Sequence, residues 1–262
     1  MLRSTLSPLA TAALIVVAIP SHGATVLVEE SGCRITIEGP IDKKTPQQLE
    51  IAIRKMRATK VIGPSDNLFC NELGKVDING PGGDVEAAIA MGRTIRREQL
   101  STWVVREPCV SACVLVLIGG VSRGASREVG LHRPYSPEPS ASMASAQARF
   151  ERINGIIKTY LTEMNVPVRL LDVMNSVPPG EIRMLNPYSD EHLLQELSIT
   201  GDDPVFSDMF ATRLAGILGI SKAEYYVRKQ RARAECWVKN DRGRLIVKDS
   251  DLCEMAILGG KR

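Results

Sequence analysis

The sequence predicts an α/β fold on a mostly parallel sheet with helical additions, and three observations carry that expectation. Short apolar strand patterns at Arg34–Glu38, 76–78, 102–105 and 129–132 alternate with helix patterns that start at Thr45 and at Asp84. Strands joined through helices need crossovers, and crossovers make them parallel. The strand at 76–78 breaks at Asn79-Gly80-Pro81-Gly82-Gly83, and a helix follows at once. Asp84 is its N-cap candidate, and Val85, Ala88, Ile89, Gly92 and Ile95 recur at helical spacing. Finally, the run 114–118 has nothing polar in it, ends at Gly119-Gly120 and reads as a buried helix.

The remaining elements follow in order. Residues 25–29 and Arg34–Glu38 read as strands, the second ending at Gly39-Pro40-Ile41. Thr45 opens a helix through Leu49, Ile51, Ala52 and Met56, with Pro46 in its first turn. The piece 63–72 is turn-rich. After His132 the composition changes: a Pro- and Ser-containing loop leads into a long helix pattern at 141–164. A helix at 167–174 stops at Pro178-Pro179-Gly180, and 181–185 reads as a short strand. Helices are expected at 190–197, 207–218 and 223–234, the last basic through Arg228, Lys229, Arg231 and Arg233, a solvated face. No internal repeat is visible.

A chain of 262 residues accommodates one ordinary α/β domain with a sizeable core, or one domain plus an appendage. Its net charge of +3 makes no case for nucleic acid or a membrane surface as partner. The amino terminus has Arg3, an apolar run at 9–19 and then Pro20-Ser21-His22-Gly23-Ala24. A short basic region, a brief apolar core and small residues describe a secretory signal peptide over 1–23, cleaved before Ala24. An uncleaved membrane anchor is the alternative. Export to a secreted or periplasmic location lets the six cysteines form three bridges, with fifteen pairings open. Cys236 and Cys253 flank a strand–turn–strand pattern, Trp237-Val238-Lys239 to Leu245-Ile246-Val247, and are expected to close that hairpin. Cys109 and Cys113 are a second candidate pair. Their spacing offers no metal site, because no second ligand pair matches it.

The chemistry concentrates between Val76 and His132. Ser111 lies on a small-residue turn ahead of a helix, where backbone N–H groups and the helix dipole favour developing negative charge. Two adjacent glycines follow a neighbouring strand, and His132 ends a third. A serine, a base and a backbone turn able to hold an oxyanion point to acyl transfer.

Pro81-Gly82-Gly83, Ser111-Ala112 and Leu131-His132-Arg133-Pro134, in that order, resemble the motifs of the proteolytic subunit of the Clp protease and the ClpP/crotonase superfamily. With the leader and the Cys-flanked serine, the likeness is to secreted Clp-like proteins. It covers 35–132 well and places the family domain over 24–203, with a helical extension over 204–262 ending in the cysteine-closed hairpin. It implies Ser111 as nucleophile, His132 as base, and the N–H groups of Gly83 and Ala112 as the oxyanion hole. It also implies a peptide or protein substrate, self-assembly through a projecting helical handle after His132, with a helix packed on its own domain as the alternative, and no cofactor or metal.

The family's third residue, an aspartate, has no clear counterpart. Glu181, ahead of a short strand, occupies the matching place, with Asp172 and Asp190 as competitors. A lysine base, Lys158 or Lys75, and a cysteine nucleophile are weaker alternatives, and an acyl-CoA enzyme is remote for an exported chain. A catalytically silent Clp-like fold used for binding or assembly is the rival from another class. No glycine-rich lysine motif of a P-loop ATPase is present, so no ATPase partner is evident.

Overall fold

The computed structural model describes residues 23–29, 34–58, 74–135, 139–178, 180–239, 245–247 and 250–260. The signal-peptide expectation, Cys33 and Cys70 lie outside the described residues, as does most of the turn-rich piece.

The main sheet is built from β1 (Thr25–Val28), β2 (Arg34–Glu38), β3 (Lys75–Asn79), β4 (Ser101–Val104), β6 (Ser122–Ala125) and β9 (Gly201–Asp202). They lie in the order β1-β2-β3-β4-β6-β9. The four central strands run parallel, and β1 and β9 pair antiparallel at the two edges. Parallel pairing follows from the crossovers α1 (Thr45–Ala58), between β2 and β3, and α2 (Val85–Arg97), between β3 and β4. Alternation along β2 and β3 turns Ile35, Ile37, Val76 and Ile78 into the core, where Leu49, Met56, Ile89, Met91 and Ile95 of the two helices meet them. The opposite face is polar: Thr36 pairs with Asp77, and Asp77 with Trp103.

The short helix α3 (Ala112–Leu117) is buried throughout, as its unbroken apolar run requires. The strand before it, β5 (Cys109–Val110), does not join the main sheet. It pairs parallel with β7 (Val129–Leu131), which pairs antiparallel with β8 (Arg183–Leu185). This three-stranded sheet corrects the expectation that the strand leading to His132 extends the main one. Three short strands, β5, β6 and β9, were not anticipated; β6 reads Ser-Arg-Gly-Ala and shows no apolar alternation.

The chain then forms α4 (Met143–Glu163), whose buried residues Ile157, Tyr160 and Leu161 all fall in its last third. α5 (Arg169–Ser176) and α6 (Glu191–Glu196) complete the body. The carboxy-terminal part holds α7 (Pro204–Leu218), α8 (Lys222–Cys236), the hairpin β10 (Trp237–Lys239) and β11 (Leu245–Val247), and α9 (Ser250–Leu258). It has two small cores of its own, one around Ala211, Leu214 and Tyr225, the other around Ala232, Cys236, Cys253 and Ile257. The Cys236–Cys253 disulfide forms as expected, but Cys253 lies on α9, so the bridge ties α8 to α9 with the hairpin between them.

The body is joined to this extension through buried charge. Asp203, fully buried just ahead of α7, accepts from Arg96 Nη1 at 2.6 Å. Arg123 stands 3.9 Å from the same carboxylate oxygen and donates to Ser198 O at 2.8 Å. Burial and the neighbouring Arg96 push the Arg123 guanidinium down to about 10.

Candidate active site

Ser111 stands between β5 and α3 with φ 60° and ψ −128°. Positive φ is uncommon for a residue with a Cβ and is kept only where surroundings impose it. Here they do. Ser111 N–H donates to Gly130 O at 2.9 Å, Val110 N–H to Gly80 O at 2.9 Å, and Cys109 N–H to Glu128 O at 3.1 Å. A disulfide between Cys109 and Cys113 closes over the same turn. Ser111 precedes a helix, yet its side chain makes no capping hydrogen bond. The ordinary reason for a serine at this position is therefore missing.

The glycine turn packs directly on it. A Cβ on Gly82 would lie 2.7 Å from Ser111 Cβ, Ala112 N and Val110 O, and φ there is +93°. Only glycine lets the two turns approach so closely. Gly83, at φ +137°, forms a bridge with Ile41, with Ile41 N–H donating to Gly82 O at 2.7 Å and Asp84 N–H to Ile41 O at 2.9 Å. Asp84 caps α2 through Ala87 N–H at 2.8 Å, the N-cap expected from sequence. Among the described residues, the N–H groups of Gly83 and Ala112 donate to no other backbone carbonyl. Gly83 is exposed, whereas Ala112 is buried at the amino end of α3.

His132 follows β7, and only 7% of its surface is exposed. Because Ser111 is bonded to Gly130, the two residues come from the carboxyl ends of paired parallel strands. No hydrogen bond joins Ser111 Oγ to the imidazole among the described residues. Nδ1 lies 2.9 Å from Arg133 O, and the ring tilts against Tyr135 with centroids 5.8 Å apart.

The acid candidates separate. Glu181 is exposed and lies two residues ahead of Arg183, the register partner of Leu131, so the fold brings it to the His132 end of β8. Asp190 accepts from Asn186 N–H at 2.8 Å and holds its own turn. Asp172 is exposed in the first turn of α5. Of the lysine candidates, Lys75 sits over Trp103 at 4.7 Å and faces Asp77 at 3.6 Å. It lies at the far end of β3 from the glycine turn, roughly 16 Å away along the strand. Lys158 is exposed on α4.

Two features of the site were not read from sequence. One is the Gly130 carbonyl that anchors Ser111. The other is Arg133, whose own carbonyl meets His132; its neighbour Pro134 was the available signal.

No family model matches the chain, and no curated protein does. Solved structures similar to it include two proteases. One is a point mutant of ClpP1 from Listeria monocytogenes, at 13% identity and TM-score 0.48, the match covering 64% of this chain and 89% of that one. The other is a point mutant of the 1510-N membrane-bound stomatin-specific protease, at 17% identity and TM-score 0.46, covering 69% of this chain and 83% of that one.

Proposed function

We propose that the chain is an exported serine hydrolase acting on peptides, with Ser111 as nucleophile, His132 as general base and Gly83 and Ala112 as oxyanion donors. The observation that carries this reading is Ser111 itself: a non-glycine residue at positive φ, on a helix start that it does not cap, pressed against a glycine turn, with the N–H groups of Gly83 and Ala112 unbonded among the described residues. In the reaction Ser111 Oγ attacks the scissile carbonyl carbon as its proton passes to His132 Nε2. The oxyanion is held by the two N–H groups, each worth roughly 3 kcal/mol by analogy with other oxyanion holes. Collapse expels the amine, which takes the proton from the imidazolium, and water then releases the acyl group by the same steps. Glu181 is proposed as the carboxylate that supports the imidazolium.

Two disulfides among the described residues favour an oxidising compartment, and no described helix is long and apolar enough to cross a membrane. The first two-thirds of α4 has no buried residue, so it is the handle through which we propose self-assembly.

A fluorophosphonate probe tests the activity. Labelling of Ser111, lost in Ser111→Ala and His132→Ala, is expected. The double variant should hydrolyse an activated ester hardly more slowly than either single one, because residues acting as a unit give non-additive losses. Full activity in Ser111→Ala ends the assignment. A silent binding or assembly protein is the second reading, favoured because His132 Nδ1 meets the Arg133 carbonyl where a triad would place its carboxylate; a probe-inert protein supports it.

A further inference from the structure

We infer that His132 is oriented by a main-chain carbonyl, that of Arg133, and that Arg133 is the positioning residue of the site. The inference rests on the hydrolase reading for its functional meaning and on geometry for everything else. A carbonyl oxygen only accepts, so the 2.9 Å contact between Arg133 O and His132 Nδ1 requires the proton on Nδ1. Nε2 of the neutral ring then carries the lone pair, the form a general base needs and the one a carboxylate on Nδ1 usually enforces. A carbonyl does this without a charge.

Such a carbonyl is useful only if it is held still, and Arg133 is held from three sides. Its N–H donates to Val177 O at 2.9 Å. Its guanidinium donates twice to Asn175 O, from Nε at 3.0 Å and from Nη2 at 2.8 Å. Pro134 follows it, and a residue before proline is confined to extended backbone, which fixes the direction of its C=O. The anchor is itself tied to the body, since Asn175 Nδ2 donates to Asn154 Oδ1 on α4 at 2.7 Å. A planar fork on a backbone carbonyl suits arginine and not lysine. During reaction the Ser111 proton goes to Nε2, the Nδ1–H bond to Arg133 O persists, and the carbonyl takes no proton.

The experiment is nitrogen-resolved NMR of the imidazole rings in the mature full-length protein, without substrate. A His192→Gln variant removes the other described histidine from the spectrum. The neutral ring of His132 is expected as the Nδ1–H form. Arg133→Ala should shift it toward the Nε2–H form that a free histidine side chain prefers, with Arg133→Lys intermediate, while Glu181→Gln leaves it unchanged. Ester hydrolysis should follow: kcat falls about tenfold in Arg133→Ala with KM unchanged, the equivalent of one neutral hydrogen bond. An Nε2–H ring in the unsubstituted protein overturns the inference, and so does a tautomer that Arg133→Ala and Arg133→Lys leave untouched. An Nδ1–H ring in a protein inert to fluorophosphonate upholds the carbonyl contact and removes the hydrolase reading instead.

Discussion

Asp203→Asn is the substitution from which the largest loss of stability is expected. It keeps side-chain volume and one acceptor oxygen but removes the negative charge facing Arg96 at 2.6 Å and Arg123 at 3.9 Å. Arg96 and Arg123 are 9% and 2% exposed at the side chain and Asp203 is not exposed at all, so water cannot replace the lost partner. Breaking a buried pair from one side costs roughly 3–5 kcal/mol, because the other charge stays behind uncompensated. Two guanidiniums share this carboxylate, so the upper half of that range is expected. Carbonyl contacts limit the damage: Arg96 also donates to Met164 O at 3.0 Å, and Arg123 to Ser198 O. Urea unfolding of the protein measures the change. Arg96→Met in the Asp203→Asn background should recover part of it, since residues in one network couple. A loss below about 1 kcal/mol, with no coupling to Arg96→Met, would refute the argument that this charge cluster holds the body to α7.

Other perturbations are simpler. Gly82→Ala forces a Cβ to within 2.7 Å of Ser111 and should cost roughly 1–3 kcal/mol in backbone strain alone, with fluorophosphonate labelling lost. Removing the Cys236–Cys253 bridge, which spans a sequence separation of 17, should cost about 3 kcal/mol and loosen α8 and α9 first, as hydrogen exchange would show. Burial raises the Asp77 carboxyl above its ordinary value, against the opposing pull of Lys75 and Arg34. A raised folded-state value stabilises at low pH and is lost as pH rises through it. Asp77→Asn should therefore gain stability relative to the unsubstituted protein between pH 4 and pH 7, read from unfolding midpoints. Charge reversals on the exposed part of α4 should lower the native mass in solution; a mass that does not change would reject the handle.

The parts of this structure that were legible in the sequence are those that residue type alone enforces. Glycines at 80, 82 and 83 announced a turn that other residues could not form, and the helix caps and apolar periods placed α1, α2 and α3. What stayed hidden depends on partners far along the chain. β6 is a strand because β4 lies beside it, not because Ser122-Arg123-Gly124-Ala125 favours extended backbone. Asp203 lies ahead of the helix expected at 207–218, and nothing local marks its ion pair with Arg96, which reaches across 107 residues. The carbonyl of Gly130 carries no residue signature, since every residue has one.

The case for Ser111 as more than a turn residue is strongest in comparison with the other strained positions. Four non-glycine residues among those described have positive φ: Gln99, Ser111, Asn165 and Ser198. Three of them share one explanation. Gln99, Asn165 and Ser198 each come two residues after the end of a helix, α2, α4 and α6, and their N–H groups bond back to Arg96, Thr162 and Gln195. Their left-handed backbone closes a helix, a common ending with a local return. Ser111 begins a helix instead, its ψ of −128° lies outside the left-handed well, and no capping bond offsets the strain. The hydrogen bonds and the disulfide around it hold the conformation without explaining why a serine occupies it, since glycine would fit at lower cost. A hydroxyl that bonds neither its own helix nor a described neighbour, at a backbone angle its surroundings impose, is what the proposed nucleophile requires.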